Sequence, residues 1–164
     1  MELLGPSLED LFQYCNKRFT IKTTAMLAIH LLDRMETLHS KNYVYRDVKP
    51  DNFLIGQGST QTTIFMIDMG LVKRYKDPKT GNHIKSKSVN NLTGTARYSS
   101  TSAHKNEQSR KDDLEAIGYC LIYFLKGCLP WQGLQDVEDD KKNDAILDIK
   151  ISTTLKVLCE DCPK

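Results

Sequence analysis

The chain has 164 residues, 40% of them hydrophobic, and a formal net charge of +2. That is enough apolar material for one core, so a single domain is expected, and the charge is too small to argue for nucleic acid or a membrane surface. No stretch approaches the ~20 apolar residues needed to span a bilayer, and no signal peptide opens the chain. An odd number of cysteines without a secretory signal points to reduced thiols in an intracellular, cytoplasmic protein. Cys159 and Cys162 lack the second ligand pair that structural zinc wants.

Ser7 and Asp10, following Pro6, predict a capping box that opens a short helix with Leu8, Leu11 and Phe12 on its buried side. Ala28, Leu31, Leu32, Met35 and Leu38 recur at helical spacing and predict a second helix over about 22–40. It leads into the run Tyr45-Arg46-Asp47-Val48-Lys49-Pro50-Asp51-Asn52. Two short apolar runs follow, 53–55 and 64–67, separated by eight residues rich in Gly, Ser and Thr. They predict a hairpin with a long loop. Antiparallel pairing would carry Asn52, entering the first strand, and Asp68, leaving the second, to the same end.

Residues 71–104 carry little periodicity and read as a long ordered loop, which in a compact domain is usually functional. A third helix over about 111–125 has apolar residues on every face and should be central and buried. Gly127 suits its stop and Pro130 prevents its continuation. Residues 137–150 look like a weaker, more exposed helix, and 151–164 give no strong signal.

The ordered set Arg46-Asp47, then Lys49, Asn52 and Asp68-Met69-Gly70 has the composition of a phosphoryl-transfer site. Asp47 would accept the hydrogen bond of an acceptor hydroxyl, since an ionised carboxylate is an acceptor only. Lys49 would offset charge growing on the transferred phosphoryl oxygens. Asn52 and Asp68 offer the hard oxygen ligands that magnesium prefers. Gly70 would let the chain turn sharply after the metal-binding Asp. Arg46 offers a fork for a phosphate or carboxylate, or forms an ordinary surface ion pair; the sequence alone does not choose. Seven basic residues lie within 73–97, opposed by Asp77 alone. Beside a phosphotransfer site this suggests attraction for acidic or phosphorylated substrates. Tyr75 and Tyr98 are too sparse for nucleic-acid stacking.

With these motifs stand Met1-Glu2-Leu3-Leu4-Gly5-Pro6-Ser7-Leu8-Glu9-Asp10-Leu11, Asn91-Leu92-Thr93-Gly94-Thr95-Ala96-Arg97-Tyr98, Glu107-Gln108-Ser109-Arg110-Lys111-Asp112-Asp113 and Leu129-Pro130-Trp131-Gln132-Gly133-Leu134. Together they resemble the casein kinase 1 group of serine/threonine protein kinases over nearly the whole chain. The wording of 40–50 is closest to the gamma and yeast plasma-membrane branch. The resemblance implies an α+β, mainly helical fold like the large C-terminal lobe of a protein kinase, without the β-rich N-terminal lobe. ATP and Mg2+ are the implied cofactors, and acidic or phosphorylated proteins the implied substrates.

By the same resemblance, Glu2 and Leu4 present backbone groups to adenine, Met1 stands at the back of that pocket, and Asp10 lies near the ribose. Arg97, Gly133 and Lys142 match one anion-binding set, and Arg46 with Lys73 belongs to a second. Asp113 matches a buried residue that accepts hydrogen bonds from the catalytic-loop backbone.

Several departures bear on these expectations. Met69 replaces a Phe of similar bulk. Ser100-Thr101-Ser102 and the shortened 104–107 stretch fall near the substrate-docking region. Asp139 and Asp140 replace basic residues and should weaken the site around Lys142. The Gly-rich loop, strand lysine and helix glutamate of a complete kinase do not precede Met1, and the match stops before the last helices of the large lobe. This polypeptide alone is therefore expected to have very weak activity or none. The rival reading is a kinase remnant without turnover that acts as a substrate-binding scaffold.

Overall fold

The computed structural model describes residues 3–85, 92–105, 108–134, 138 and 141–162. The described residues form six α-helices and four short strands, the strands falling between the second and third helices: α1 (Leu8–Tyr14), α2 (Ile21–Ser40), β1 (Tyr43–Val44), β2 (Phe53–Ile55), β3 (Ile64–Met66), β4 (Lys73–Arg74), α3 (Thr101–His104), α4 (Arg110–Lys126), α5 (Lys142–Ser152) and α6 (Leu155–Leu158). The fold is mainly helical, with two small antiparallel sheets.

Helix α1 begins at the expected capping box: the Ser7 hydroxyl accepts from the Asp10 amide, and the Asp10 carboxylate accepts from Ser7. Its Phe12 packs on Phe19, Tyr123 and Phe124, with ring centroids 4.5–5.5 Å apart. This aromatic knot ties α1 to α4. Helix α2 runs as expected, but its buried stripe is Thr24, Leu27, Leu31 and Met35, whereas Leu32 is exposed. Thr24 and Leu27 extend the i, i+3, i+7, i+11 row that holds the expected Leu31 and Met35, and Leu38 packs against the same core, so the anticipated face holds apart from Leu32.

Helix α4 is the central element, burying Ala116, Ile117, Cys120, Tyr123 and Phe124. Its burial is one-sided, since Leu114 is exposed and Leu121 and Ile122 are half-buried. Gly127 ends it in a left-handed conformation, φ 88°.

The hairpin forms with Phe53 opposite Met66 and Ile55 opposite Ile64. On the other edge of β2, the Gly5 amide donates to the Ile55 carbonyl at 2.7 Å and the Ile55 amide to the Pro6 carbonyl at 3.1 Å, laying the N-terminal segment along the strand. The stretch 71–104 holds more structure than its sequence announces. Strand β4 pairs with β1, Lys76 bridges to His83, and α3 starts on a Ser100 cap. Helix α6 likewise falls where no signal was found, on a Thr154 cap.

Candidate active site

The chain from β1 to β2 is held by one buried carboxylate. Asp113, 2% exposed on α4, accepts from the Tyr45 amide at 2.9 Å, from the Arg46 amide at 2.8 Å and contacts His39 Nε2 at 2.8 Å. Arg46 occupies the left-handed region, φ 72°, a conformation that costs a non-glycine residue and persists only when its surroundings impose it. Its guanidinium Nε donates to the Leu71 carbonyl at 2.7 Å. The fork therefore grips backbone just beyond Gly70, and burial lowers its pKa while Asp113 works in the opposite sense.

This bracing fixes Asp47, buried, at the centre of a polar cluster. Its Oδ2 sits 2.8 Å from Lys49 Nζ and accepts from Asn52 Nδ2 at 3.1 Å; the same amide reaches the Asp47 carbonyl at 3.0 Å. Its Oδ1 accepts from both the amide (3.1 Å) and the hydroxyl (2.9 Å) of Thr95. Beneath lies Tyr45, fully buried, whose hydroxyl donates to the Ile67 carbonyl. Burial drives its pKa well up, the Asp47 charge adds to this, and a hydrogen bond with Asn52 opposes it.

Asn52 and Asp68 stand at one tip of the hairpin. The Ile67 amide donates to the Asn52 carbonyl at 3.0 Å, which places Asp68 one residue past that pair. Gly70 and Leu71 lie in the turn that the Val72 amide closes on the Met69 carbonyl at 3.1 Å, while the left-handed residue is Asp68 itself, φ 58°. The Asp68 Oδ1 accepts the Gly70 amide at 3.1 Å, so the carboxylate closes the turn, and a Cβ at Gly70 would lie 3.1 Å from that oxygen. Among the described residues, Asp68 Oδ2 has no protein hydrogen bond. Asn52 spends its NH2 group on Asp47. An amide carbonyl and a carboxylate oxygen are hard donors of the kind magnesium takes, so the residues present fit that ion.

The remaining sequence-derived residues distribute as follows. Met1 and Glu2 lie outside the described residues. The Leu4 carbonyl accepts from Gln57 Nε2 at 2.9 Å, and Asp10 is exposed with one oxygen committed to its Ser7 cap, which holds its pKa down. Lys73 sits opposite Val44, two residues before Arg46, so those two basic residues share a neighbourhood. Arg97 and the Gly133 loop are joined through Trp131, whose Nε1 donates to the Arg97 carbonyl at 2.7 Å. Gly133 is exposed with φ 76°, and Lys142 opens α5. Asp139 and Asp140 are outside the described residues.

Sequence reasoning quoted Gly94 and Thr95 without giving them a role. A Cβ at Gly94 would come within 2.3 Å of the Arg46 carbonyl, and its φ is 94°. Only glycine fits so close a crossing. Gly94→Ala should cost about 1–3 kcal/mol of stability, read as a lowered urea midpoint, because the Cβ must push Arg46 aside. Its signal was the Thr-Gly-Thr spelling, which carries no periodicity.

Compared with known protein families, residues 1–162 match the protein kinase domain. The chain belongs to the protein kinase family. Such kinases transfer a phosphoryl group to protein substrates, and catalysis in them rests on positioning and electrostatics more than on covalent chemistry. No helix among the described residues of this kinase is long and apolar enough to cross a membrane.

Proposed function

We propose that this kinase is an ATP-dependent serine/threonine kinase of the casein kinase 1 type, acting on acidic or already phosphorylated proteins. The reading is supported above all by Asp47, a buried carboxylate flanked by Lys49 at 2.8 Å and Asn52 at 3.1 Å. Asp47 orients the acceptor hydroxyl and takes its hydrogen bond, as it now takes that of the Thr95 hydroxyl at 2.9 Å. Lys49 lies close enough to counter charge on the transferred phosphoryl oxygens. Asn52 and Asp68 hold magnesium, which when bound neutralises phosphate charge. Leu4 and the backbone beside it take the adenine end, with Asp10 at the ribose. Arg46, Lys73, Arg97, Gly133 and Lys142 favour anionic substrates through their shared positive field. The chain constitutes the large-lobe part of such a kinase.

Calorimetry with Mg-ATP and single-turnover transfer to acidic and phosphorylated Ser peptides test this. Asp47→Asn should leave nucleotide binding intact and lower transfer by about 10²–10⁴-fold, the usual worth of a positioned general base. Transfer that survives Asp47→Asn, or failure of the chain to bind Mg-ATP, overturns the reading.

A further inference from the structure

Lysines are almost never fully buried, because desolvating an ammonium is costly unless it is paired. Lys150, on the last turn of α5, is 5% exposed. Its Nζ donates to the Ala96 carbonyl at 2.8 Å and to the Ser99 carbonyl at 2.5 Å, and stands 3.4 Å from His104 Nε2. The rings of Tyr119 and Trp131 lie 5.0 Å away. Burial pulls its pKa down to about 7, with Glu115 working the other way. Burial, aided by the Lys150 charge, lowers the His104 pKa to about 4, against a hydrogen bond with the Ala96 backbone and the pull of Asp144.

The backbone it grips explains why such a residue is tolerated. The Tyr98 and Ser99 amides and the Ser99 hydroxyl all converge on the Thr95 carbonyl. That convergence leaves the carbonyls of Ala96, Arg97 and Ser99 in need of donors. Trp131 supplies one and Lys150 the other two. A carbonyl buried without a partner would cost free energy that the fold has no means to recover. Thr95 in turn donates twice to Asp47. A continuous hydrogen-bonded path thus runs from α5, through the 95–99 turn, to the central carboxylate.

We propose that Lys150 is a positioning residue for the acceptor hydroxyl: it clamps the 95–99 turn from below and thereby sets Thr95 against Asp47. The role assigned to Asp47 rests on the kinase reading above, whereas the clamp does not. Lys150 touches neither nucleotide nor acceptor in this scheme. It acts through the backbone it holds.

The test uses the whole 164-residue chain carrying Lys150→Met, which keeps length and loses the donors. Amide exchange at Tyr98 and Ser99 should accelerate roughly tenfold or more, as local opening becomes easier. The side-chain carboxylate 13C signal of Asp47 should shift, and Lys150→Arg should restore it in part. Lys126→Met supplies the control. That lysine also caps two carbonyls, those of Leu158 and Glu160, but on a path that does not reach Asp47, so the Asp47 signal should stay put.

If Lys150→Met does not fold, the unmutated protein decides. Its 15Nζ-labelled Lys150 should show slowed proton exchange and cross-relaxation to residues 96–99. A folded Lys150→Met chain with unchanged Asp47 signal and unchanged Tyr98 and Ser99 protection overturns the proposal. So does a Lys150 ammonium that exchanges as fast as an exposed lysine. An Asp47 signal that follows Lys150 in a chain that binds no Mg-ATP upholds the clamp and removes the kinase reading instead.

Discussion

Asp68→Ala should weaken Mg-ATP binding by at least roughly 10–100-fold, the range seen when even residues supporting a metal ligand are lost, while magnesium-free ATP binding changes little. The carboxylate has two tasks that the substitution removes together. One oxygen closes the turn by accepting the Gly70 amide at 3.1 Å, and on the proposed function the other is the hard donor for the ion. Asp68→Asn separates them. An amide still closes the turn and tolerates the left-handed φ of 58°, but it carries no charge. Calorimetry of both variants with and without magnesium therefore ranks wild type above Asn and Asn above Ala. Equal magnesium-dependent affinity in all three would remove Asp68 from the metal site.

The second large effect is on stability. Asp113→Ala strips two buried backbone amides and His39 of their common acceptor, and breaking such a buried charged network costs about 3–5 kcal/mol. Arg46 then loses the anchor that imposes its left-handed backbone. The loss should appear as a lowered urea midpoint and as faster exchange of the Tyr45 and Arg46 amides. Asp113→Asn keeps an acceptor and should cost less. A midpoint within a few tenths of a kcal/mol of wild type in Asp113→Ala would show that the loop between β1 and β2 holds itself, contrary to its geometry.

Features written in local sequence were legible before any coordinates. The Ser7–Asp10 capping box works across three residues, and Gly127 ends α4 through its own φ. The hairpin was also readable, because β2 and β3 are apolar runs joined by one loop. What depends on distant partners was not. Strand β4 pairs with β1 through two residues only, separated by some thirty positions, and neither carries an alternating pattern.

On α2 the core-facing Leu31, Met35 and Leu38 were legible, whereas Thr24 and Leu27 were passed over and Leu32 was wrongly included. At the candidate site, Asp47, Lys49, Asn52 and Asp68 stood out by spacing. The Thr95 contact to Asp47 spans 48 positions and so left no trace in spacing. Lys150 ends the stretch 137–150, which reads as an exposed helix, and nothing in its local sequence announces burial, because the carbonyls it meets lie some fifty positions away. The left-handed conformation of Asp68 was not legible either, since it depends on its side chain accepting the amide two residues on.

The segment lying along the outer edge of β2 has a mechanical corollary. Ile55 is bonded through its own amide and carbonyl to Pro6 and Gly5, and the same strand starts at Phe53, directly after Asn52. On the kinase reading, the purine and the triphosphate of one nucleotide would pull on opposite ends of a single three-residue rod. Chemical-shift changes at Leu54 and Ile55 should then register either half of the ligand, adenosine alone or pyrophosphate with magnesium, although neither residue touches it.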